Sequence, residues 1–377
     1  MPVKDKIVSW YVQNILIPRV EIIDKPGFVI TNFTEKNQTT YLRELFISEQ
    51  LFEDIEKGII QTYGDEGKQI LYSAGKKFGY TYASISNFPN INKMKEKDFL
   101  DFAYYLVRYI EGMFSAKATH KIDLDKKIFE ISFDNYIICR NNGLGYIMTD
   151  GGTAGIWAYA LQDKTIEGLQ IECQGRNDKK CKVICCPDKI LKEKKLKYLS
   201  ERELDDIEFD ETYTTMNDIR PATYSNNSLK NLLDTGFFEY ERGLLRYKNI
   251  RFFPVESHVL YYIEEEISKL KDGEQKLFDI CMNHGRRVRQ EYGEIDWDKF
   301  ISDYYPALGF GDIAVLDSKK PTVASIYYPW TLFSEKSKFI IFRGILSGII
   351  SDSVGHDIKI NNYETDLSDY LTLTIST

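Results

Sequence analysis

Apolar residues along this chain follow two periods, and the order in which those periods appear occurs twice. Lys127-Ile128-Phe129-Glu130-Ile131-Ser132-Phe133 sets an apolar residue at every second position, the signature of a half-buried strand. Pro321-Thr322-Val323-Ala324-Ser325-Ile326-Tyr327 repeats that alternation less cleanly. Longer stretches predict helices at 49–82 and 96–117, and again at 256–292 and 296–304. Short glycine-flanked helices are expected at 151–163 and 343–352; in the first, Gly151, Gly152, Ala154 and Gly155 suit close packing against a neighbour. Each half opens on two apolar runs joined by a polar loop, a hairpin pattern. In one half the runs are Gly27-Phe28-Val29-Ile30 and Tyr41-Leu42-Arg43-Glu44-Leu45-Phe46-Ile47, in the other Gly236-Phe237-Phe238 and Ile250-Arg251-Phe252-Phe253-Pro254. Closing hairpins are expected near 166–186 and 357–376. The expected class is α+β, helices packed on an antiparallel sheet with hairpins at both ends.

The repetition extends to individual residues. At an offset of 206, Gln69 meets Gln275, Leu71 meets Leu277, Tyr72 meets Phe278 and Gly79 meets Gly285. At an offset of 193, Gly151 meets Gly344 and Gly155 meets Gly348. The first copy therefore carries extra length between the two blocks, and a repeat this long means duplicated domains. The expected division is 1–187, a connector and linker at 188–230, and 231–377. Lys192-Glu193-Lys194-Lys195-Leu196-Lys197 begins a charged stretch that runs to Asp210 and reads as a helical connector, either solvated or bound to a partner. Arg220-Pro221 and Ser225-Asn226-Asn227-Ser228 have linker chemistry.

Composition narrows the function. The 377 residues are 43% hydrophobic and 28% charged, the profile of a soluble globular chain. The net charge of −8 makes nucleic acid a poor default partner. No apolar run is long enough to span a bilayer, and Met1-Pro2-Val3-Lys4-Asp5-Lys6 does not open a signal peptide. The expected location is the cytoplasm, where cysteines are thiols or metal ligands rather than disulfides. Aromatics reach 14%, which suits large cores or aromatic-lined pockets.

Four of the six cysteines fall within 173–186: Cys173, Cys181, Cys185 and Cys186. A hairpin turning at Gly175-Arg176-Asn177-Asp178-Lys179-Lys180 brings Cys173 and Cys181 together, and paired thiolates are good Zn²⁺ ligands. Cys185 and Cys186 point to opposite faces of one strand, so at most one easily joins them. The expected metal set is Cys173, Cys181 and Cys186, with Cys139 as a further donor from another strand; the alternative is that these are buried small hydrophobes. Catalytic signals are weak. Gly143-Leu144-Gly145 and Gly309-Phe310-Gly311 lack the third glycine of a dinucleotide fingerprint, and His120, His258, His284 and His356 have no partners at metal-helix spacing.

The run from Gly151-Gly152-Thr153-Ala154-Gly155 to Ile171-Glu172-Cys173 and Cys181-Lys182-Val183-Ile184 resembles the closing segment of the 4-vinyl reductase, or hydrocarbon-binding, domain. Leu71-Tyr72-Ser73-Ala74-Gly75-Lys76-Lys77-Phe78-Gly79 resembles its central helix. The resemblance covers most of 24–187 and extends more weakly to 235–377, where the cysteine hairpin is missing. It implies a fold related to small TRAPP subunits and an apolar pocket between helices and sheet, which Tyr80, Tyr104, Tyr105 and Trp157 are expected to line. In zinc-bearing members two cysteines at this spacing are ligands, matching Cys173 and Cys181. A ligating glutamate there corresponds to Gln170, and a ligating cysteine before the glycine helix has no counterpart at Tyr146-Ile147-Met148.

Three functions follow as expectations. The first is a regulatory sensor that binds a small hydrophobic or aromatic ligand, with structural zinc, a protein partner and a possible homodimer. The second is a TRAPP-like interaction scaffold. The third is an enzyme or accessory factor of vinyl-group reduction in pigment biosynthesis, which rests on the family name alone.

Overall fold

The computed structural model describes residues 23–35, 38–86, 88–204, 224–225, 227–241, 244–293, 296–326, 328–329, 337–366 and 372–377. The N-terminal segment and most of the expected linker, including Arg220-Pro221, lie outside the described residues.

The first half begins with strands β1 (Ile23–Lys25), β2 (Phe28–Glu35) and β3 (Gln38–Ser48). Ser48 then caps helix α1 (Glu49–Ile85), its hydroxyl accepting from the Leu51 amide. Helix α1 breaks at Gly64, whose φ of 59° and ψ of −127° lie outside helical space. Helix α2 (Glu96–Phe114) follows, then β4 (Lys117–Asp123) and β5 (Ile128–Asp134). A π-helical turn over Tyr146–Gly152 runs into α3 (Thr153–Ala160), the expected glycine helix. Strands β6 (Ile166–Glu172) and β7 (Cys181–Pro187) close the half.

After the short helices α4 (Asp188–Glu193) and α5 (Leu229–Asp234) the same order returns. Strands β8 (Glu239–Glu241), β9 (Leu244–Tyr247) and β10 (Ile250–Glu256) lead into α6 (His258–Ile267) and α7 (Gly273–Tyr292). That pair matches the two segments of α1 on either side of Gly64. Helix α8 (Trp297–Ala307), β11 (Asp312–Asp317), β12 (Thr322–Ile326), α9 (Ile340–Val354), β13 (Asn362–Asp366) and β14 (Thr372–Ser376) complete it. The strand orders agree too: β4-β5-β7-β6 in one four-stranded sheet and β11-β12-β14-β13 in the other. The opening strands fuse into one six-stranded sheet, β1-β2-β3-β10-β9-β8, with β3 and β10 antiparallel at its centre. The chain is thus α+β with three antiparallel sheets among its described residues, and one apolar core runs from Val29 to Ile375. No described helix is long and apolar enough to cross a membrane.

Glycine sets how closely the helices cross. A Cβ on Gly155 would lie 2.1 Å from the Lys76 carbonyl oxygen, and one on Gly348 would lie 1.9 Å from that of Met282. Likewise Gly79 would meet the Gly152 oxygen at 2.1 Å and Gly285 the Ile345 oxygen at 2.0 Å. Lys76 and Met282 are 206 apart and Gly152 and Ile345 are 193 apart, so both offsets read from the sequence reappear as equivalent contacts.

A second matched pair lies at the start of each glycine helix. Glu56 accepts from the Gly145 amide at 2.7 Å and the Ile147 amide at 2.9 Å. Glu264 accepts from the Ile341 amide at 2.8 Å and the Ser337 hydroxyl at 2.9 Å. Burial raises each carboxyl from the ordinary 4.5 to about 7, against the lowering effect of those donors.

The connector departs from expectation. Helix α4 ends at Glu193, and 196–204 continues as a non-helical strap against the first half. Buried polar groups hold it there. Lys76 Nζ, fully buried, donates to Glu167 at 2.7 Å and to the Glu201 carbonyl at 2.6 Å, and the Ser200 hydroxyl donates to Glu167 at 2.7 Å. A charged sequence signals a solvated helix only while its partners remain unknown.

Gly155→Ala and Gly348→Ala are expected each to lower the unfolding free energy by roughly 1–3 kcal/mol, since a backbone carbonyl must move to admit the methyl group; urea unfolding measures this. In the folded state Glu56 and Glu264 retain protons that the unfolded chain releases above about 4.5. Their contribution is therefore complete below that pH and is lost as pH rises through about 7. The Glu56→Gln, Glu264→Gln double variant should flatten stability measured across that window.

Candidate functional site

Two features of the first half carry chemistry: a cluster of thiols and an apolar cavity. The thiols come from three segments. Cys181 opens β7 and pairs with Phe133 of β5. Cys173 follows β6, where the turn over Gln174–Arg176 is closed by the Arg176 amide donating to the Cys173 carbonyl at 2.8 Å. Cys139 sits in the turn after β5, its carbonyl accepting from the Gly143 amide at 2.9 Å. Gly175 lets these turns meet, because a Cβ there would lie 2.4 Å from the Cys139 oxygen.

The Sγ atoms of Cys139 and Cys181 are 3.4 Å apart, and those of Cys181 and Cys173 are 3.9 Å apart. All three lie within 4.8 Å of one another and are buried. Three thiolates on a tetrahedral zinc at about 2.3 Å are spaced roughly 3.8 Å apart, so the spacing is compatible with a metal. Hydrogen bonds from Cys139 and Cys181 hold the Cys173 thiol well below the usual range, with help from the Gly175 amide and the Arg176 charge. The same sharing pushes the Cys139 thiol up. One thiolate therefore forms readily and its neighbours keep their protons until a cation compensates them. Gln170 Nε2 lies 3.0 Å from Cys139 Sγ, so Gln170 faces the cluster.

Cys186, expected in the metal set, does not join it. Cys181, Val183 and Cys185 share one face of β7, whereas Cys186 turns the other way and packs with Ile184 and Leu191. Cys139 takes its place. Glu172 also stays outside the cluster, beyond an irregularity in the β6–β7 register between Gln170 and Glu172.

The cavity lies between α1, α2, β5 and the glycine helix. It spans about 1130 Å³ of space free of atoms, its mouth included. Phe46, Phe78, Leu106, Ile110, Phe129 and Ile156 supply apolar wall, and Pro254 and Val255 of β10 close it from the other half. Trp157 lines it as expected, stacked on Phe129 with ring centroids 3.7 Å apart. The other expected lining residues lie elsewhere. Tyr80 packs edge-on against Tyr159 at 5.6 Å. Tyr104 and Tyr105 are on the outer face of α2, where they border a shallow groove with His120, and Tyr105 is 54% exposed. Leu106, Tyr109, Ile110, Met113 and Phe114 are the lining residues of α2. Their helical spacing was the available signal, and it marks the face opposite Tyr105.

The cavity and the thiols share structural supports. Phe133 and Tyr136 both line the cavity, their rings stacked at 4.3 Å and 9°. Phe133 is the partner of Cys181 in the sheet, and Tyr136 begins the turn that carries Cys139, its carbonyl accepting from the Arg140 amide.

A smaller cavity occupies the corresponding place in the second half. It spans about 400 Å³ and is lined by His284, Val288 and Ile345, the counterparts of Phe78, Tyr82 and Gly152. Tyr292, Tyr304, Tyr305 and Phe310 crowd it, with centroids 5.0 Å apart for Tyr292 and Tyr304 and 5.4 Å for Tyr305 and Phe310. No family model matches this chain, and no curated protein matches it.

Proposed function

We propose that the chain is a sensor that buries a small hydrophobic ligand in its first half and relays occupancy through the seam between its halves. The observation that carries this reading is the inequality of two cavities in one repeated frame, about 1130 Å³ against about 400 Å³ of atom-free space with the open mouth of each included. A scaffold needs both cores filled, and only the second approaches that. We read the halves as tandem 4-vinyl-reductase-like units, the second degenerate, on the strength of the recurring element order and glycine contacts.

Ligand contact with Pro254 and Val255 would tie cavity occupancy to the β3–β10 pairing, the element best placed to bias a surface read by a protein partner. Zinc is the proposed metal for the thiol cluster, held by Cys139, Cys173 and Cys181. Rotating the Gln170 amide by half a turn would offer Oε1 as a fourth donor. The ion's role would be structural: it would lock the Phe133 and Tyr136 wall of the cavity. A reducing compartment such as the cytoplasm would keep these thiols available.

Elemental analysis of purified protein should find close to one zinc per chain, lost in Cys139→Ser and Cys173→Ser and kept in Cys186→Ser. Native, folded protein free of metal would remove zinc from this account. An apolar ligand should raise the melting temperature. Gly152→Ile installs the second half's residue in the first and should abolish that shift while the protein stays folded; an undiminished shift would place the ligand elsewhere.

A further inference from the structure

The π-helical turn before the glycine helix carries an acid that the fold does not answer. Within that turn the Asp150 amide donates to the Gly145 carbonyl at 2.9 Å, five residues back, a widened geometry that often marks functional sites. Asp150 is 8% exposed, and its Oδ1 makes no hydrogen bond among the described residues. Burial and the neighbouring Glu56 carboxyl push the Asp150 carboxyl well above its ordinary range, against the lowering effects of the Gln170 amide and the Arg176 charge. The repeat shows that the fold does not require this arrangement. At the offset of 193 the matching residue is Arg343, equally buried, which donates to the carbonyls of Lys338, Ile360 and Asn361 at 2.8, 3.2 and 2.9 Å. One half ties this position to its own backbone, and the other leaves an acceptor open, where buried polar atoms are normally paired.

Asp150 lines a cleft that shares no lining residue with the apolar cavity. The cleft spans about 770 Å³ of space free of atoms, its mouth included. Its other charged lining residues are Asp65, Lys68, Arg176 and Lys197. Lys68 and Lys197 both pair with Asp65, at 2.7 and 3.1 Å, so one carboxylate serves two ammonium groups. Arg176 donates to the Gly143 and Gln170 carbonyls at 3.2 and 3.0 Å, partners that carry no net charge. Three cations and one exposed carboxylate therefore surround the approach to Asp150. Tyr146 and Leu169 supply apolar wall from the first half, and Tyr198 and Leu199 supply it from the strap at 196–204.

We infer that this cleft is a second ligand site, independent of the apolar cavity, and that it takes a small zwitterion: an α-amino acid with an apolar side chain. The ammonium donates to Asp150, the carboxylate meets Lys68, Lys197 and Arg176, and the side chain lies against Tyr146, Tyr198 and Leu169. A carboxylate without the amine brings Asp150 no donor. An amine without the carboxylate meets three cations and offers them nothing. Because the strap forms one wall, a bound molecule fastens it to the first half.

Calorimetry with leucine, 4-methylpentanoate and 3-methylbutylamine tests this, since the second and third are leucine without its amine and without its carboxylate. Leucine should bind at least about tenfold more tightly than either. Asp150→Asn should weaken leucine several-fold and leave 4-methylpentanoate unchanged. The Lys68→Gln, Lys197→Gln double variant should weaken both carboxylates and spare 3-methylbutylamine. Leucine should also slow hydrogen exchange over 196–204. Equal affinity for leucine and 4-methylpentanoate would overturn the zwitterion assignment, and so would leucine binding unaltered in Asp150→Asn. If either variant fails to fold, the comparison of the three probes on the unaltered chain decides alone. No leucine binding at about 10 mM, or binding without slowed exchange in the strap, would overturn the site itself and leave the apolar-cavity reading untouched.

Discussion

The contact on which this structure depends is between backbones. In each half a glycine helix lies against a long helix so closely that carbonyl oxygens occupy the space a Cβ would need, at Gly79 and Gly155 in one half and at Gly285 and Gly348 in the other. No side chain can adjust such a contact, so the distance and angle between the two helices are set by the main chain. Glu56 and Glu264 reinforce it by accepting from amides where each glycine helix begins. With that crossing settled, the sheet behind it and the helix beside it can differ between halves without loss of the frame.

The second constraint is the seam. Strands β3 and β10 pair at the centre of a six-stranded sheet, and each cavity reaches across it: the larger one touches Pro254 and Val255, the smaller one Phe46 and Ile47. Neither half closes its own cavity. The larger cavity is therefore walled in part by a strand of the second half. The strap at 196–204 adds a third tie, fastened to a buried lysine and glutamate.

Within this common frame the two halves differ in a few side chains. Gly152 leaves space where Ile345 fills it, and the first half carries a thiol cluster whose supporting turns also hold Phe133 and Tyr136 against the cavity. Changes of this size leave the backbone contacts that define the shared frame in place.

Periodicity alone was enough to place the closing hairpins, the long helices and the glycine helices. It put the first strand of the second half's opening hairpin at Gly236-Phe237-Phe238, which is a turn; the strand paired with β10 is Leu244–Tyr247. Glycine pairing across the chain was enough to align the halves, because only glycine tolerates the crossing. Strand β4 escaped notice: Lys117–Asp123 is an edge strand with a largely polar sequence, and its pairing with β5 is what makes it a strand. The charged connector read as helix for the opposite reason, since its attachment to the buried Lys76 and Glu167 depends on residues far away in the chain. Cys173 and Cys181 were legible from one hairpin. Cys139 could be named only as a possible further donor, and Cys186 looked eligible until the sheet turned it to the other face. The same limit applied to Tyr104 and Tyr105, which lie on the helix that lines the cavity but on its outer side. Local spacing determines which residues share a strand or a helix turn. Which faces then converge on a metal or enclose a cavity is decided by how sheets and helices pack, and only the tertiary structure contains that.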